Sequence, residues 1–417
     1  MDTEKKWIHL DNAMSFLKWC AYAFAVGLIV GAVGILFHHG IDVGTHIRGE
    51  FPWLIWTLPL AGLAIVMLYR LTGMEKDRGT NQVLVAVRDG QQLKLRTAPL
   101  IFISTILTHM AGGSAGREGA ALQLGGSTAA FIGRKIRLDG KDHRVMVMCG
   151  MAAAFSALFG TPLTAAVFAM EVVSVGSMHY GALVPALVSS LTAFELARFT
   201  GMHLVVGYSI PDVAAMGPGV LLKIVVLGLQ CALVSILFCA CMHRAPGIYS
   251  KYFPNTAVRA MVGGLLLVGL TLAVGNQNYN GAGDHVIRAL LAGETIPEAF
   301  LLKIFFTAVT LGAGFRGGEI VPALFTGCAF GTLAGPMLGL PHAFSGALGM
   351  AAVFCGATNC PISSVLLAYE LFGGQGLPMY AMVCAVSYSL SGYYGLYSEQ
   401  NIIYAKLGDE QINRHAH

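Results

Sequence analysis

Charge is what this sequence has least of. Of its 417 residues only 12% are Asp, Glu, Lys or Arg, while 55% are hydrophobic, and the mean hydropathy is +0.67. A soluble domain carries about a quarter of its residues charged, so this chain cannot cover itself in water. Whole stretches have no charge at all: Trp19–Phe37, Phe51–Tyr69, Val145–Met170, Met261–Gly283, Ile320–Tyr369 and Leu371–Ser398. A helix crossing hydrocarbon needs about 20 apolar residues, and these runs supply them. The chemistry of common enzymes is also missing. No nucleophile–base pair, Walker motif or HExxH occurs, so an enzyme is not expected. The nine cysteines include no CxxC pair, and Cys239-Ala240-Cys241 beside His243 reads better as small apolar packing than as a metal site. No metal or cofactor is expected, and a net charge of +4 suggests no nucleic-acid partner.

The first apolar run begins near Ala13, after a polar start from Met1 to Trp7. It is too long for a signal peptide and reads as a first membrane element with a cytoplasmic N-terminus. Two parts of the chain then match each other. Gly150-Met151-Ala152-Ala153-Ala154-Phe155 repeats as Gly349-Met350-Ala351-Ala352-Val353-Phe354, an offset of 349 − 150 = 199. The same shift carries Pro162 to Pro361, Glu171 to Glu370 and Arg117 to Arg316. The expected division is a segment 1–12, a membrane repeat 13–212, a second repeat 213–404 and a short tail 405–417. Charge orients them. The loop Arg134–Arg144 holds five Lys or Arg, and its counterpart Leu333–Ala343 holds none. Cytoplasmic loops are the basic ones, so equivalent loops lie on opposite faces and the repeats are inverted. Inverted repeats place a transport site at their interface near the bilayer midplane. The fold expected is an all-α polytopic membrane protein with broken helices meeting there.

Two Gly-rich segments supply those breaks. Gly112-Gly113-Ser114-Ala115-Gly116-Arg117-Glu118-Gly119 precedes one helix pattern, and Gly312-Ala313-Gly314-Phe315-Arg316-Gly317-Gly318-Glu319 precedes another at Ile320-Val321-Pro322. Non-helical backbone survives at membrane depth only inside protein or along a watery cavity. Paired helix starts there would aim free N–H groups, each end acting as about half a positive charge, at an anion. A glutamate in that place, Glu118, would compete with the anion when ionised and let go when protonated. The blander reading is an Arg117–Glu118 ion pair pinning a loop. Glu171 and Glu370 are expected to be structural helix-end groups, and His109 a satisfied polar residue.

These residues resemble a known family. Gly116-Arg117-Glu118-Gly119 is similar to the GREGP motif of the CLC anion channels and transporters, with Ala120 in place of proline. Phe159-Gly160-Thr161-Pro162-Leu163, Gly318-Glu319-Ile320-Val321-Pro322 and Leu396-Tyr397-Ser398 resemble later stretches of the same family, in order over nearly the whole chain. The departures resemble its fluoride-exporting branch. Arg78-Gly79-Thr80-Asn81 stands where chloride transporters have GSGIP, Glu319 where they have an apolar residue, and Val172 where exchangers pair a second acid with the first. Thr80 replaces that branch's first Asn, and Val321 an expected hydroxyl residue.

The resemblance implies an anion/proton antiporter, with fluoride exported first and chloride the alternative, or a passive channel of the same fold. Glu118 would be the gate and proton carrier, and Glu319 a second carboxylate. The anion would meet Gly116, Arg117, Gly119, Thr80, Asn81, Gly318, Ile320, Val321 and Tyr397. Tyr393, Tyr394 and Tyr404 are rivals for the tyrosine. The family precedent is a homodimer in the cell membrane, with a pathway in each subunit.

Overall fold

The structure, a computed structural model, describes residues 2–202, 207–408 and 410–417, with side chains from Asn12 onward. Two series of eight helices make up nearly all of it. The first is α1 (Asp2–Glu50), α2 (Leu58–Leu71), α3 (Thr80–Asp89), α4 (Thr97–Ala111), α5 (Glu118–Lys135), α6 (Gly140–Phe159), α7 (Pro162–Glu171) and α8 (Leu183–Phe199). The second is α9 (Pro218–Tyr252), α10 (Thr256–Val274), α11 (Asp284–Leu291), α12 (Ala299–Gly312), α13 (Ile320–Met337), α14 (His342–Thr358), α15 (Pro361–Phe372) and α16 (Leu377–Leu390). In both series the first helix is the longest (49 and 35 residues) and the third and seventh are the shortest (10 and 10; 8 and 12). Among the described residues, six helical segments are long and apolar enough to cross a membrane. Others, such as Thr97–Ala111 and Ala299–Gly312, are apolar but short. At 1.5 Å per residue they cannot span a hydrocarbon core of about 30 Å, and they stop inside the protein.

The sequence says why they stop. Gly112 at φ 96° and Gly314 at φ 103° take the left-handed conformation that ends a helix. Gly160 (φ 74°) and Asn359 (φ 57°) do the same after α6 and α14. Pro162 and Pro361 then open α7 and α15 in the first turn, where a missing N–H costs nothing.

Superposing the helix starts corrects the sequence alignment. Helices α5 and α13 begin 320 − 118 = 202 residues apart, whereas α7 and α15 begin 361 − 162 = 199 apart. The difference of three lies in α6, which has 20 residues where α14 has 17. Arg117 is therefore the counterpart of Glu319, each preceding its helix, and not of Arg316.

Reciprocal contacts tie the repeats. Glu171, at the end of α7, accepts the backbone N–H groups of Ile362 (3.0 Å) and Ser363 (2.8 Å) at the start of α15, and the Ser363 hydroxyl. Glu370, at the end of α15, accepts from Leu163 and Thr164 N–H (2.9 Å each) and Thr164 Oγ1 (2.6 Å) at the start of α7. Each acid caps the helix of the other repeat. The structural role expected of both is what the geometry shows, with helix N-termini as partners rather than Lys or Arg. Small residues let the helices close up. A methyl group on Gly125 would lie 2.1 Å from Gly150 O, and one on Gly327 2.3 Å from Gly349 O. Close backbone approach of this kind is how membrane helices gain packing without a hydrophobic drive.

The all-α expectation needs one amendment. A small sheet joins β1 (Ser174–Val175), β2 (Asn401–Tyr404) and β3 (Gln411–His415), with β1 parallel and β3 antiparallel to β2. It fastens the C-terminal segment to the end of α7.

Replacing Glu171 or Glu370 by Ala is expected to cost about 1–2 kcal/mol, the range for a lost N-cap. Thermal melts of the purified protein check this, with Glu195→Ala, which removes only an exposed pair with Arg198, as a control that should barely shift.

Candidate functional site

The two broken ends meet through backbone. Gly116 N–H donates to Gly318 O, and Gly318 N–H to Gly116 O, both at 2.7 Å. This isolated antiparallel bridge joins equivalent residues of the two repeats, 318 − 116 = 202 apart. Only glycine fits. A methyl on Gly318 would stand 2.5 Å from Gly119 N, and one on Gly116 would stand 3.0 Å from both Glu118 Oε2 and Pro322 Cδ. The free N–H groups are countable. In α5 the first helical bond is Ala121 N to Arg117 O, which leaves Glu118, Gly119 and Ala120. In α13, Ala323 N bonds to Glu319 O and Pro322 has no N–H, leaving Ile320 and Val321.

Glu118, the first residue of α5, is buried, with 1% of its surface exposed. Its Oε2 accepts from Arg117 N–H at 3.1 Å, and its Oε1 lies 3.5 Å from Arg117 Nε. The blander ion-pair reading is thus geometrically present, but Arg117 also faces Asp42 of α1 at 3.5 Å. Arg117 is shared, so the grip on Glu118 is partial. Beside them lies a cavity of about 10 Å³, lined by Arg117, Glu118, Phe159, Tyr208, Asp284 and Val321 among others. That is room for roughly one water-sized species.

Glu319 precedes α13 and makes no capping hydrogen bond with its side chain. A methyl on Gly119 would lie 3.4 Å from Glu319 Oε2 and 3.4 Å from Thr80 Oγ1. The second carboxylate and Thr80 therefore flank the same glycine. The Thr80 hydroxyl donates to Gly119 O (3.1 Å), and Gln123 Nε2 donates to Thr80 Oγ1 and Gly119 O (3.3 Å each). Ile320 and Val321 are buried at the start of α13.

Tyr397 is separated from its rivals by burial. It is 2% exposed and its hydroxyl has no hydrogen-bond partner among the described residues, while Glu319 and Glu118 are among its ionisable neighbours. Tyr404 is 47% exposed, and Tyr393 and Tyr394 are half-buried. A buried hydroxyl left unpaired is costly in a protein interior, and it would suit an anion. Asn81 uses its amide oxygen elsewhere and keeps its N–H2 group unassigned among the described residues. Its Oδ1 accepts from Glu399 N–H at 3.1 Å, so it holds the backbone just after Tyr397. Gln400 fixes the other side through Val172 O (2.9 Å) and Thr358 O (2.8 Å).

Besides His109, the scaffold uses Arg48, Asn280 and Lys303, which the sequence pattern does not single out. Arg48 Nη1 donates to His109 O (2.7 Å), and His109 Nε2 lies 3.4 Å from Gly116 O. Asn280 Nδ2 donates to Gly112 O (2.6 Å), and Gly281 N–H to Gly113 O (2.9 Å). Lys303, fully buried, donates to Gly281 O (2.7 Å) and Tyr279 O (3.2 Å). Together they press the loop before α11 onto the first Gly-rich segment. A lysine amid an apolar helix pattern was the available signal, since intramembrane charges are expensive and kept for a purpose. Cys239 and His243 go separate ways, to Ala357 O (3.9 Å) and Gly395 O (2.6 Å).

Comparison with known proteins fits this geometry. Residues 60–392 match the family model described as voltage gated chloride channel. A chloride/fluoride channel protein of Pseudomonas syringae pv. tomato is 34% identical over 95% of this chain and 89% of its own. The crystal structure of a CLC-type fluoride/proton antiporter superposes with a TM-score of 0.89 at 33% identity, covering 93% of this chain and 98% of that one. A slow cyanobacterial Cl⁻/H⁺ antiporter shares the fold at a TM-score of 0.76 and 19% identity, over 89% of this chain and 94% of its own.

Gly318→Ala is expected to part the bridge and cost about 1–3 kcal/mol, the usual scale for overpacking. It should lower the melting temperature and abolish anion flux in vesicles. Gly269→Ala, with nothing within 4 Å, should leave both unchanged.

Proposed function

The chain belongs to the voltage gated chloride channel family, and from that premise we propose that it is a secondary-active antiporter exporting fluoride in exchange for protons. The observation that carries this reading is a pair of carboxylates close to the Gly116–Gly318 bridge, Glu118 beside Gly116 and Glu319 beside Gly119, with the buried, unpaired Tyr397 among their ionisable neighbours. The relatives named above for fluoride and the antiporter superposition support it.

The anion site we propose consists of Gly116, Arg117, Gly119, Gly318, Ile320, Val321, Thr80 and Tyr397, with Asn81 acting through the tyrosine segment. Ionised, the Glu118 carboxylate takes the anion's place, held by Arg117 and the α5 N–H groups. A proton arriving on its oxygen removes the charge that those groups hold, and the side chain is released. Fluoride then occupies the helix-end field, while the proton leaves toward the opposite face. Fluoride is small, strongly hydrated and a strong acceptor, so short donors such as N–H and O–H groups replace its water best. Glu319, uncapped and beside Thr80, serves as a second stop for the proton or, when protonated, as an O–H donor.

Because cytoplasmic loops are the basic ones, the reading puts the N-terminus and the Arg134–Arg144 loop on the cytoplasmic side of a cell (inner or plasma) membrane. The repeats divide at 212/213, with the tail from 405. Two copies are expected to associate as a homodimer with one pathway each. No catalytic turnover belongs to this reading. A passive channel is the second reading, favoured by the channel name of the Pseudomonas relative.

Glu118→Gln is expected to abolish proton movement coupled to anion flux; a variant that still carried protons in fixed proportion would remove Glu118 as the gate. In efflux from loaded vesicles, fluoride should leave the wild type much faster than chloride. Equal rates or a chloride preference would remove fluoride as the cargo.

A further inference from the structure

A second polar cavity, remote from the bridge, lies on the face that bears the basic loops. It has a volume of about 160 Å³ and is bounded by the end of α2, the start of α10 and the Gly-rich segment before α13. Three guanidinium groups reach it: Arg70, Arg259 and Arg316. Two carboxylates only partly offset them. Arg70 Nε lies 3.3 Å from Glu75 Oε1, and Arg316 Nη1 lies 3.6 Å from Asp77 Oδ2. Arg259 has no carboxylate within ion-pair distance among the described residues, and its Nε donates only a long bond, 3.4 Å, to Phe253 O. Tyr69 lines the same cavity under the Arg316 guanidinium, 4.2 Å from ring centre to charge. Tyr69 is 3% exposed, and neither its hydroxyl nor Arg316 Nε has a hydrogen-bond partner among the described residues.

An apolar groove of about 380 Å³ adjoins it, walled by Ile248, Tyr252, Phe253, Leu266, Phe305 and Val309. Tyr249 stands at the junction. A methyl on Gly263 would touch both Ala313 Cβ of the polar cavity and, at 3.4 Å, the Tyr249 hydroxyl, which is itself unpaired. The groove opens outward, since Ile248, Tyr252, Leu266 and Phe305 are all exposed. On a protein this apolar, that surface faces hydrocarbon.

We propose that this paired cavity and groove bind one anionic phospholipid from the leaflet at the basic face, its phosphate among Arg70, Arg259 and Arg316 and an acyl chain in the groove. Arginines fork onto phosphate oxygens through paired N–H groups, and basic pockets between membrane helices at that face suit anionic headgroups. Arg316 Nε, unpaired among the described residues, is one N–H left to donate to such a phosphate. A lone halide explains neither three separated guanidinium groups nor the adjoining apolar groove. The lipid would brace the loop that carries Arg316 toward the Gly318 bridge. This inference is independent of the fluoride reading.

The test uses the full-length protein, stripped of lipid in detergent and titrated with phosphatidylglycerol or phosphatidylcholine under native mass spectrometry. At least tenfold tighter binding of phosphatidylglycerol is expected, with Arg259→Gln reducing it to the phosphatidylcholine level. Leu266→Trp, which fills the groove at a lipid-facing position, should weaken phosphatidylglycerol while leaving the weak binding of glycerol 3-phosphate itself unchanged. Equal binding of the two lipids overturns the proposal. So does glycerol 3-phosphate displacing the lipid at equal concentration, which would make the site one for free phosphate.

Discussion

Everything in this molecule is arranged around two hydrogen bonds, the reciprocal pair between Gly116 and Gly318. Two helices can point their N-terminal N–H groups at one place inside a membrane only if the backbone leading to them is satisfied elsewhere. The bridge satisfies it by letting each broken end complete the other. That solution demands glycine on both sides, because a side chain would meet Gly119 or Glu118. It also demands that the ends be held from behind. Arg48, His109, Asn280 and Lys303 do so on one side, while Asp77 and Tyr69 engage Arg316 on the other. The cross-caps of Glu171 and Glu370 repeat the same logic farther along, each repeat supplying what the other lacks.

Function enters where the symmetry fails. The residue before α5 is Arg117 and the residue before α13 is Glu319, while the first helical residues are Glu118 and Ile320. On the proposed reading the symmetric backbone makes a field for an anion, while the side chains differ: one acid lies within reach of an arginine and the other makes no capping hydrogen bond. The proposed coupling of an anion to a proton rests on those two carboxylates.

Much of this was legible before the fold. The uncharged runs announced the membrane, and the repeated Gly-rich segments announced two broken helices. The repeat register was not, because Ala-rich identity at 150–155 and 349–354 dominates the eye, while the three extra residues of α6 leave no local mark. Arg117 was matched to Arg316 for that reason. The partners of Glu171 and Glu370 were hidden as well, since backbone N–H groups have no letter in a sequence. The bond from Glu399 N–H to the Asn81 oxygen, which ties that residue to the segment after Tyr397, was hidden too. Contacts between residues hundreds of positions apart are set by packing, which periodicity does not report.

The membrane-facing surface adds a second theme. Arg316, in the loop that leads to the bridge, lines the polar cavity beside the exposed apolar groove. If the central claim holds, two ions pass a single gate and neither moves far without the other. The most direct measurement is fluoride movement in sealed vesicles holding the wild-type protein, with equal fluoride on both sides and a proton gradient across the membrane. The account predicts that fluoride accumulates against its own gradient until the proton gradient is spent. Fluoride that stays evenly distributed while the membrane remains permeable to it would contradict the account.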